Sequence, residues 1–226
     1  MKRTWVLFFL FSAAVLSAAE EEHAIFGKSI GGFSFKHTGY YCGYKARLGC
    51  SLWVSYRVKP GYFGVERALQ GGQSPYVDPL VVQAALSSPR ADDLKTAGQY
   101  PLYFLPHDNA LGRGAECEKE VYSLLNVAPS GGDEQMRKLW SALNAAVREW
   151  AQAYKEVWVI TGPIFGGSPT TLASGRITMP DAFYKIVIRK DGDAVKTIAF
   201  NIPQNASGKL ASYLTTMASI EKLTGV

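Results

Sequence analysis

The chain has 226 residues, with 24 Lys and Arg against 19 Asp and Glu, for a formal charge of +5 at neutral pH. That length suffices for one large domain with a real core. The mild basic balance argues against a densely basic nucleic-acid binder but stays compatible with a phosphate-bearing partner. With no Cys-x-x-Cys and no paired His, nothing resembles a zinc site.

At the N-terminus Lys2 and Arg3 precede an apolar run from Trp5 to Leu16, followed by the small residues Ser17, Ala18 and Ala19 and the acidic Glu20, Glu21 and Glu22. This is a signal-peptide pattern over residues 1–19, with an apolar core short for a membrane span. It predicts a periplasmic or secreted protein without stable membrane insertion after cleavage. Loss of Lys2 and Arg3 would lower the charge to +3. In such a compartment Cys42 and Cys50, which flank a short glycine-bounded segment, could close a small loop, with Cys117 free or paired to one of them.

Residues 20–39 alternate glycines with aromatics and read as a loosely held N-terminal segment. Tyr40–Tyr44 and Ser51–Val58 are rich in aromatic and β-branched residues and predict a hairpin at the edge of a sheet. Residues 59–106 hold many prolines and glycines without a long periodic pattern, which predicts a loop-rich segment with a short helix from Pro79 to Leu86. A turn-rich stretch follows, Leu105 to Ala115, then a strand-like run from Val121 to Asn126 and a second loop from Val127 to Gly132. Met136, Leu139, Trp140, Leu143, Val147, Trp150, Ala151 and Tyr154 recur at helical spacing and predict a helix from Asp133 to Tyr154, with Asp133 as its N-cap. Val157–Ile160 predicts an apolar strand. Phe183–Ile188 and Thr197–Ile202 predict a hairpin turning through the Asp191-Gly192 pair. Leu210, Tyr213, Leu214, Met217 and Ile220 then share one face of a closing helix.

Several of these segments in combination resemble the DNA/RNA non-specific endonucleases of the ββα-metal (His-Me finger) type. They are Leu124-Leu125-Asn126-Val127-Ala128-Pro129, Trp140 in the long helix, and Val157-Trp158-Val159-Ile160-Thr161-Gly162-Pro163-Ile164-Phe165. Met179-Pro180-Asp181-Ala182-Phe183-Tyr184-Lys185, Ala199-Phe200 and Ser219-Ile220-Glu221-Lys222-Leu223-Thr224-Gly225 complete the set. With a looser fit around Trp53, the similarity covers residues 40–226 as one domain. It implies an α+β fold, a central mostly antiparallel sheet with a ββα-metal nuclease-like motif and helices on both faces.

The resemblance also implies a chemistry. A histidine in an Asp-Arg-Gly-His motif activates water, and an asparagine early in the long helix holds one hydrated Mg²⁺ on the scissile phosphate. Arginines stabilise the developing charge, and a glutamate further along the helix orders water around the metal. Here the motif reads Gly112-Arg113-Gly114-Ala115, and alanine cannot accept a proton. The metal-binding asparagine falls on Met136, or on Gln135 if the loop is one residue longer; a thioether is a poor ligand for Mg²⁺, and Gln135 offers a single carbonyl oxygen. The glutamate falls on Asn144, and the glutamine that follows the proline falls on Ser130.

Arg113, Asn126 and Arg148 match the family's site positions and form the candidate catalytic set. Arg113, Arg148 and nearby Lys138 are the candidate phosphate-binding groups, and Gln135 is the candidate metal ligand. His107, Asp108, Glu116, Asp133 and Glu134 are the nearby groups from which a substitute base or oxygen ligand could come. The resulting expectation is an exported family member, catalytically impaired or inactive, on a phosphate-binding scaffold. The alternative is an active Mg²⁺-dependent, sugar-non-specific endonuclease with a substitute base. Its partner would be DNA or RNA, or otherwise a periplasmic or extracellular protein.

Overall fold

The computed structural model describes residues 32–62, 75–90, 92–93, 100, 102–106, 115–172 and 175–226. The 1–19 leader pattern lies outside them. So do most of the 20–39 segment and His107, Asp108 and Arg113.

A seven-stranded sheet organises the described residues. Its strands are β1 (Phe33–Lys36), β2 (Tyr41–Lys45), β3 (Cys50–Val58), β6 (Val157–Ile164), β9 (Ala182–Asp191), β10 (Ala194–Pro203) and β11 (Leu214–Thr215), in the order β1-β2-β3-β6-β9-β10-β11. Every neighbouring pair is antiparallel. Two short ribbons stand apart: β4 (Leu102–Phe104) with β5 (Val127–Pro129), and β7 (Thr171–Leu172) with β8 (Ile177–Thr178). Four helices complete the described fold: α1 (Pro79–Gln83), α2 (Ala115–Glu120), α3 (Glu134–Tyr154) and α4 (Met217–Thr224).

The sheet buries both faces. Val54, Tyr56, Val58, Val157, Val159, Phe183, Val187, Phe200 and Ile202 meet α3 through Met136, Leu139, Trp140, Leu143, Val147 and Ala151. On the opposite face Trp158, Tyr184, Ile186, Ile188 and Ala199 pack with Ile220 of α4. This is the expected α+β arrangement with helices on both faces. A fully buried side chain of this size contributes about 2 kcal/mol through loss of apolar surface from water, so the α3 stripe is a principal source of cohesion.

Helix α3 forms where its spacing predicts. The Asp133 carboxylate accepts the backbone N–H groups of Gln135 at 2.8 Å and Met136 at 3.1 Å, satisfying two of the donors that a helix start leaves open. The helix stops at Lys155, which takes a left-handed conformation at φ 68°. The β9–β10 hairpin also turns as predicted, with Gly192 at φ +62° supplying the conformation its tight turn requires.

Several expectations change. Phe33–Lys36 is an edge strand on β2, so the β2–β3 hairpin is interior to the sheet, and this part of the 20–39 segment is held by a strand ladder. The helix expected to reach Leu86 ends at Gln83, where Ala84 caps it and Ala85 follows at φ 55°. Val121–Asn126 is a turn followed by a 3₁₀ turn at Leu124–Asn126, and the strand comes after it, at Val127–Pro129 in the expected loop. All of residues 121–130 are buried, and a run that packs on every side leaves no alternation to separate strand from helix. The expected closing helix is three pieces: a 3₁₀ turn at Leu210–Tyr213, β11 on the sheet edge, and α4, which starts only where the Thr216 hydroxyl accepts the Ser219 N–H at 3.1 Å. Cys42 and Cys50 are free thiols, and Cys42, Cys50 and Cys117 are all buried. Cys42 lies opposite Val54 and Cys50 opposite Lys45, so the first two are not cross-strand neighbours. Burial pushes the thiols of Cys42 and Cys50 up to about 12, which keeps them protonated and unreactive.

Candidate active site

The start of α3 borders an open cleft of about 420 Å³, lined by Gly131, Met179, Pro180, Asp181, Gln204 and Asn205 among others. Its wall is fixed by side chains that bond one another. The Ser130 hydroxyl donates to Gln204 Oε1 at 2.9 Å, and Gln204 Nε2 donates to the Pro180 carbonyl at 2.9 Å. The Asp181 carboxylate accepts the Gly166 N–H.

Met136 follows the cap and is fully buried. A Cβ on Gly132 would lie 2.9 Å from Met136 Cγ and 3.0 Å from the Gln204 carbonyl, so glycine is what lets the loop close over this side chain. Gln135 and Lys138 are exposed on the same first turns. Lys138 Nζ lies 3.8 Å from Glu134, whose carboxylate also accepts from Arg137 Nε at 2.7 Å.

Further along α3, the position where the resemblance implies a glutamate faces the sheet. Asn144 is half-buried and its Oδ1 accepts a hydrogen bond from Lys185 Nζ at 2.5 Å. Lys185 is fully buried in β9, with its ammonium group 4.3 Å from the centre of the Trp140 ring. Among the described residues no carboxylate pairs with it, and burial pulls its amine down to about 7. Arg148 is half-buried one turn beyond Asn144. Thirteen residues separate Gln135 from Arg148 on one helix, about 20 Å, so the two do not converge on one phosphate.

Asn126 is fully buried. Its Nδ2 donates to the Glu120 carbonyl at 2.9 Å, while its Oδ1 has no hydrogen-bond partner among the described residues. It belongs to a polar cluster that sequence reasoning did not anticipate. The Glu120 carboxylate accepts the N–H groups of Thr38 at 2.9 Å and Gly39 at 2.8 Å, and its Oε1 lies 3.7 Å from His37 Nδ1. His37 Nε2 lies 3.5 Å from Asp78 Oδ2, and that oxygen accepts from the Ser123 hydroxyl at 2.5 Å. Burial alone would raise the Glu120 carboxyl; the bonds from His37, Thr38 and Gly39 outweigh it and hold the group below its ordinary value. Because Glu120 closes α2, which opens at Ala115, the cluster ties the end of that helix to the turn between β1 and β2. A sequence signal existed in His37 and in the Glu120 and Asp78 flanking apolar runs, but nothing local joined them.

The side chains described at the start of α3 do not fit a six-coordinate Mg²⁺. The position of the implied ligand holds a buried thioether, Gln135 brings one neutral oxygen, and Asp133 is engaged as a cap. Among the described residues no group of three His, Cys, Asp or Glu side chains could hold a metal ion.

A family model described as DNA/RNA non-specific endonuclease matches residues 107–226. Nuclease C1 from Cunninghamella echinulata var. echinulata is 26% identical over 120 residues, covering 47% of this chain and 48% of that protein. The human protein Nuclease EXOG, mitochondrial, is 24% identical over 126 residues, covering 47% of this chain and 33% of its own length. The chain thus spans less than half the length of these relatives. Among solved structures, the crystal structure of the EndoG/EndoGI complex superposes with a TM-score of 0.74 at 19% identity, over 88% of this chain and 86% of the matched one. At that identity the likeness establishes the fold.

Proposed function

Since this chain belongs to the DNA/RNA non-specific endonuclease family, we propose that it is an exported, catalytically impaired member that keeps a phosphate-binding scaffold. The observation that carries this reading is Met136, fully buried at the position of the family's implied metal ligand. A fully buried thioether has neither the hard oxygen nor the access that Mg²⁺ requires. Two further substitutions support it. Ala115 stands at the implied general base and cannot take a proton from water. Asn144, at the implied glutamate, is bonded to Lys185.

The remaining cationic groups suit nucleic-acid phosphates. Lys138 is exposed near the cleft, and Arg113 lies in the degenerate motif. Contacts of this kind bind DNA and RNA without reading sequence, and their affinity falls as salt rises, because the counterions released on binding enter a more concentrated solution and gain less entropy. Export is supported by the residue pattern of positions 1–19.

The test is cleavage of supercoiled plasmid and single-stranded RNA in Mg²⁺ or in EDTA, by the native protein beside an Ala115→His, Met136→Asn double variant. The native protein is expected to retain both substrates at low salt without cutting them, and the double variant to cut slowly in Mg²⁺. Cleavage by the native protein that stops in EDTA would contradict the proposal and point to a substitute base.

A further inference from the structure

Helix α3 ends at Tyr154, short of the far ends of β9 and β10, and the sheet face it leaves uncovered forms a groove of about 210 Å³. Val187, Ile198, Trp150 and Tyr154 line its apolar part. Arg189 and Lys196 add two cations to the lining. Trp150 is fixed by stacking on Phe200, with ring centroids 6.4 Å apart and planes at 15°. Tyr154 is 47% exposed, and the Arg189 guanidinium lies 4.4 Å from the centre of its ring.

Two features define what this groove would hold. The first is charge. Lys196 stands directly opposite Arg189 in the β9–β10 register, an arrangement in which like charges repel. Asp191 meets Arg189 at 3.2 Å, but no carboxylate pairs with Lys196 among the described residues, so an anion on this rim would relieve the repulsion. The second is shape. The Arg189 guanidinium over the Tyr154 ring sets a cation against a half-exposed aromatic side chain, and nucleobases stack on both aromatic rings and guanidinium groups. A volume of about 210 Å³ admits one ring system and is below that of a drug-sized ligand cavity.

We propose that this groove binds a nucleoside monophosphate group, with the base against Tyr154 and Arg189 and the phosphate at Lys196. The group would come either as a free mononucleotide or as the terminal nucleotide of a strand. The site lies at the opposite end of the 21-residue α3 from the cleft, about 30 Å away. It goes beyond the impaired-nuclease reading and stands without it, because its test reads binding and no cleavage.

The experiment is calorimetric titration of the full-length protein with AMP, adenosine, inorganic phosphate and a 5′-phosphorylated thymidine tetranucleotide. AMP is expected to bind saturably and at least tenfold more tightly than adenosine or phosphate. Lys196→Glu and Tyr154→Ser, both at exposed positions, are each expected to weaken it at least tenfold, whereas Lys222→Ala on the exposed side of α4 leaves it unchanged. Tighter binding of the tetranucleotide than of AMP assigns the groove to strand ends, and the reverse order to free mononucleotides. Absence of AMP binding overturns the proposal, as does AMP binding that neither groove substitution moves or that Lys222→Ala moves equally. Binding of an acidic, aromatic-bearing peptide in place of AMP would assign the groove to a protein partner and also overturn it.

Discussion

Glu120 and Lys185 are both charged residues withdrawn from water, and their surroundings differ. Glu120 receives two backbone N–H groups and lies beside His37, so its charge is compensated by donors that the fold holds in place. Lys185 has one neutral acceptor, Asn144, and the face of Trp140. A buried ion with built partners costs the fold little, whereas one without them must lose its charge or destabilise the core. The contrast separates two regions of one domain. The Glu120 cluster, which also holds Asn126, is maintained as a structural joint. The inward stripe of α3, Met136 to Asn144, has buried apolar and neutral groups where the family resemblance implies a metal ligand and a carboxylate, and Lys185 is left facing the gap.

The largest effect should come from breaking the compensated side. Glu120→Ala leaves Asp78 with His37 and frees the buried Gly39 N–H and the part-buried Thr38 N–H, and is expected to cost about 3–5 kcal/mol in urea unfolding. On the uncompensated side the sign reverses. Lys185→Met removes a buried cation while preserving volume, and is expected to be neutral to stabilising, by about 1–4 kcal/mol at pH 6. The pH dependence sharpens this. With Lys185 pulled down to about 7 from its ordinary 10.5, the unfolded chain carries a proton between those values that the folded chain does not. Native stability attributable to this group should therefore rise with pH from about 7 to 10.5, by up to about 1.4 kcal/mol per pH unit. It is lowest below about 7, where both states are charged. Asn144→Glu supplies the missing counter-charge and should flatten that rise; an unchanged slope would remove Lys185 from the account.

Smaller effects should follow at the joint's margin and on the surface. Asn126→Ala loses the bond to the Glu120 carbonyl and is expected to cost about 1–3 kcal/mol by the same unfolding measurement. Glu134→Ala breaks exposed pairs with Arg137 and Lys138 and should leave the unfolding midpoint where it is.

Much of the framework was legible because it follows from period and turn chemistry. The α3 stripe, the β2–β3 and β9–β10 hairpins and the central strand β6 each carry a pattern that local physics decodes. What was missed depends on partners far along the chain. Phe33–Lys36 is too short to announce a strand until β2 pairs with it. Leu210 to Ile220 keeps helical spacing across a 3₁₀ turn, a two-residue strand and a helix because all three lean on the same sheet. At the candidate site, Met136 and Asn144 could be located by counting from Trp140, but their burial and bonding could not. Lys185 was readable in hindsight: alternation sets it between Phe183 and Val187 on the face that α3 covers. The His37, Asp78 and Glu120 cluster joins three distant segments, and no spacing rule brings them together.

The most direct test of the central claim, that the start of α3 packs where the family resemblance implies coordination, is a Mn²⁺ titration followed by electron paramagnetic resonance, on the native protein and on Gln135→Ala. The account predicts no saturable Mn²⁺ site in either protein up to millimolar metal. A single saturable site in the native protein that Gln135→Ala abolishes would contradict it, and would mean that the first turn of α3 still holds a metal ion.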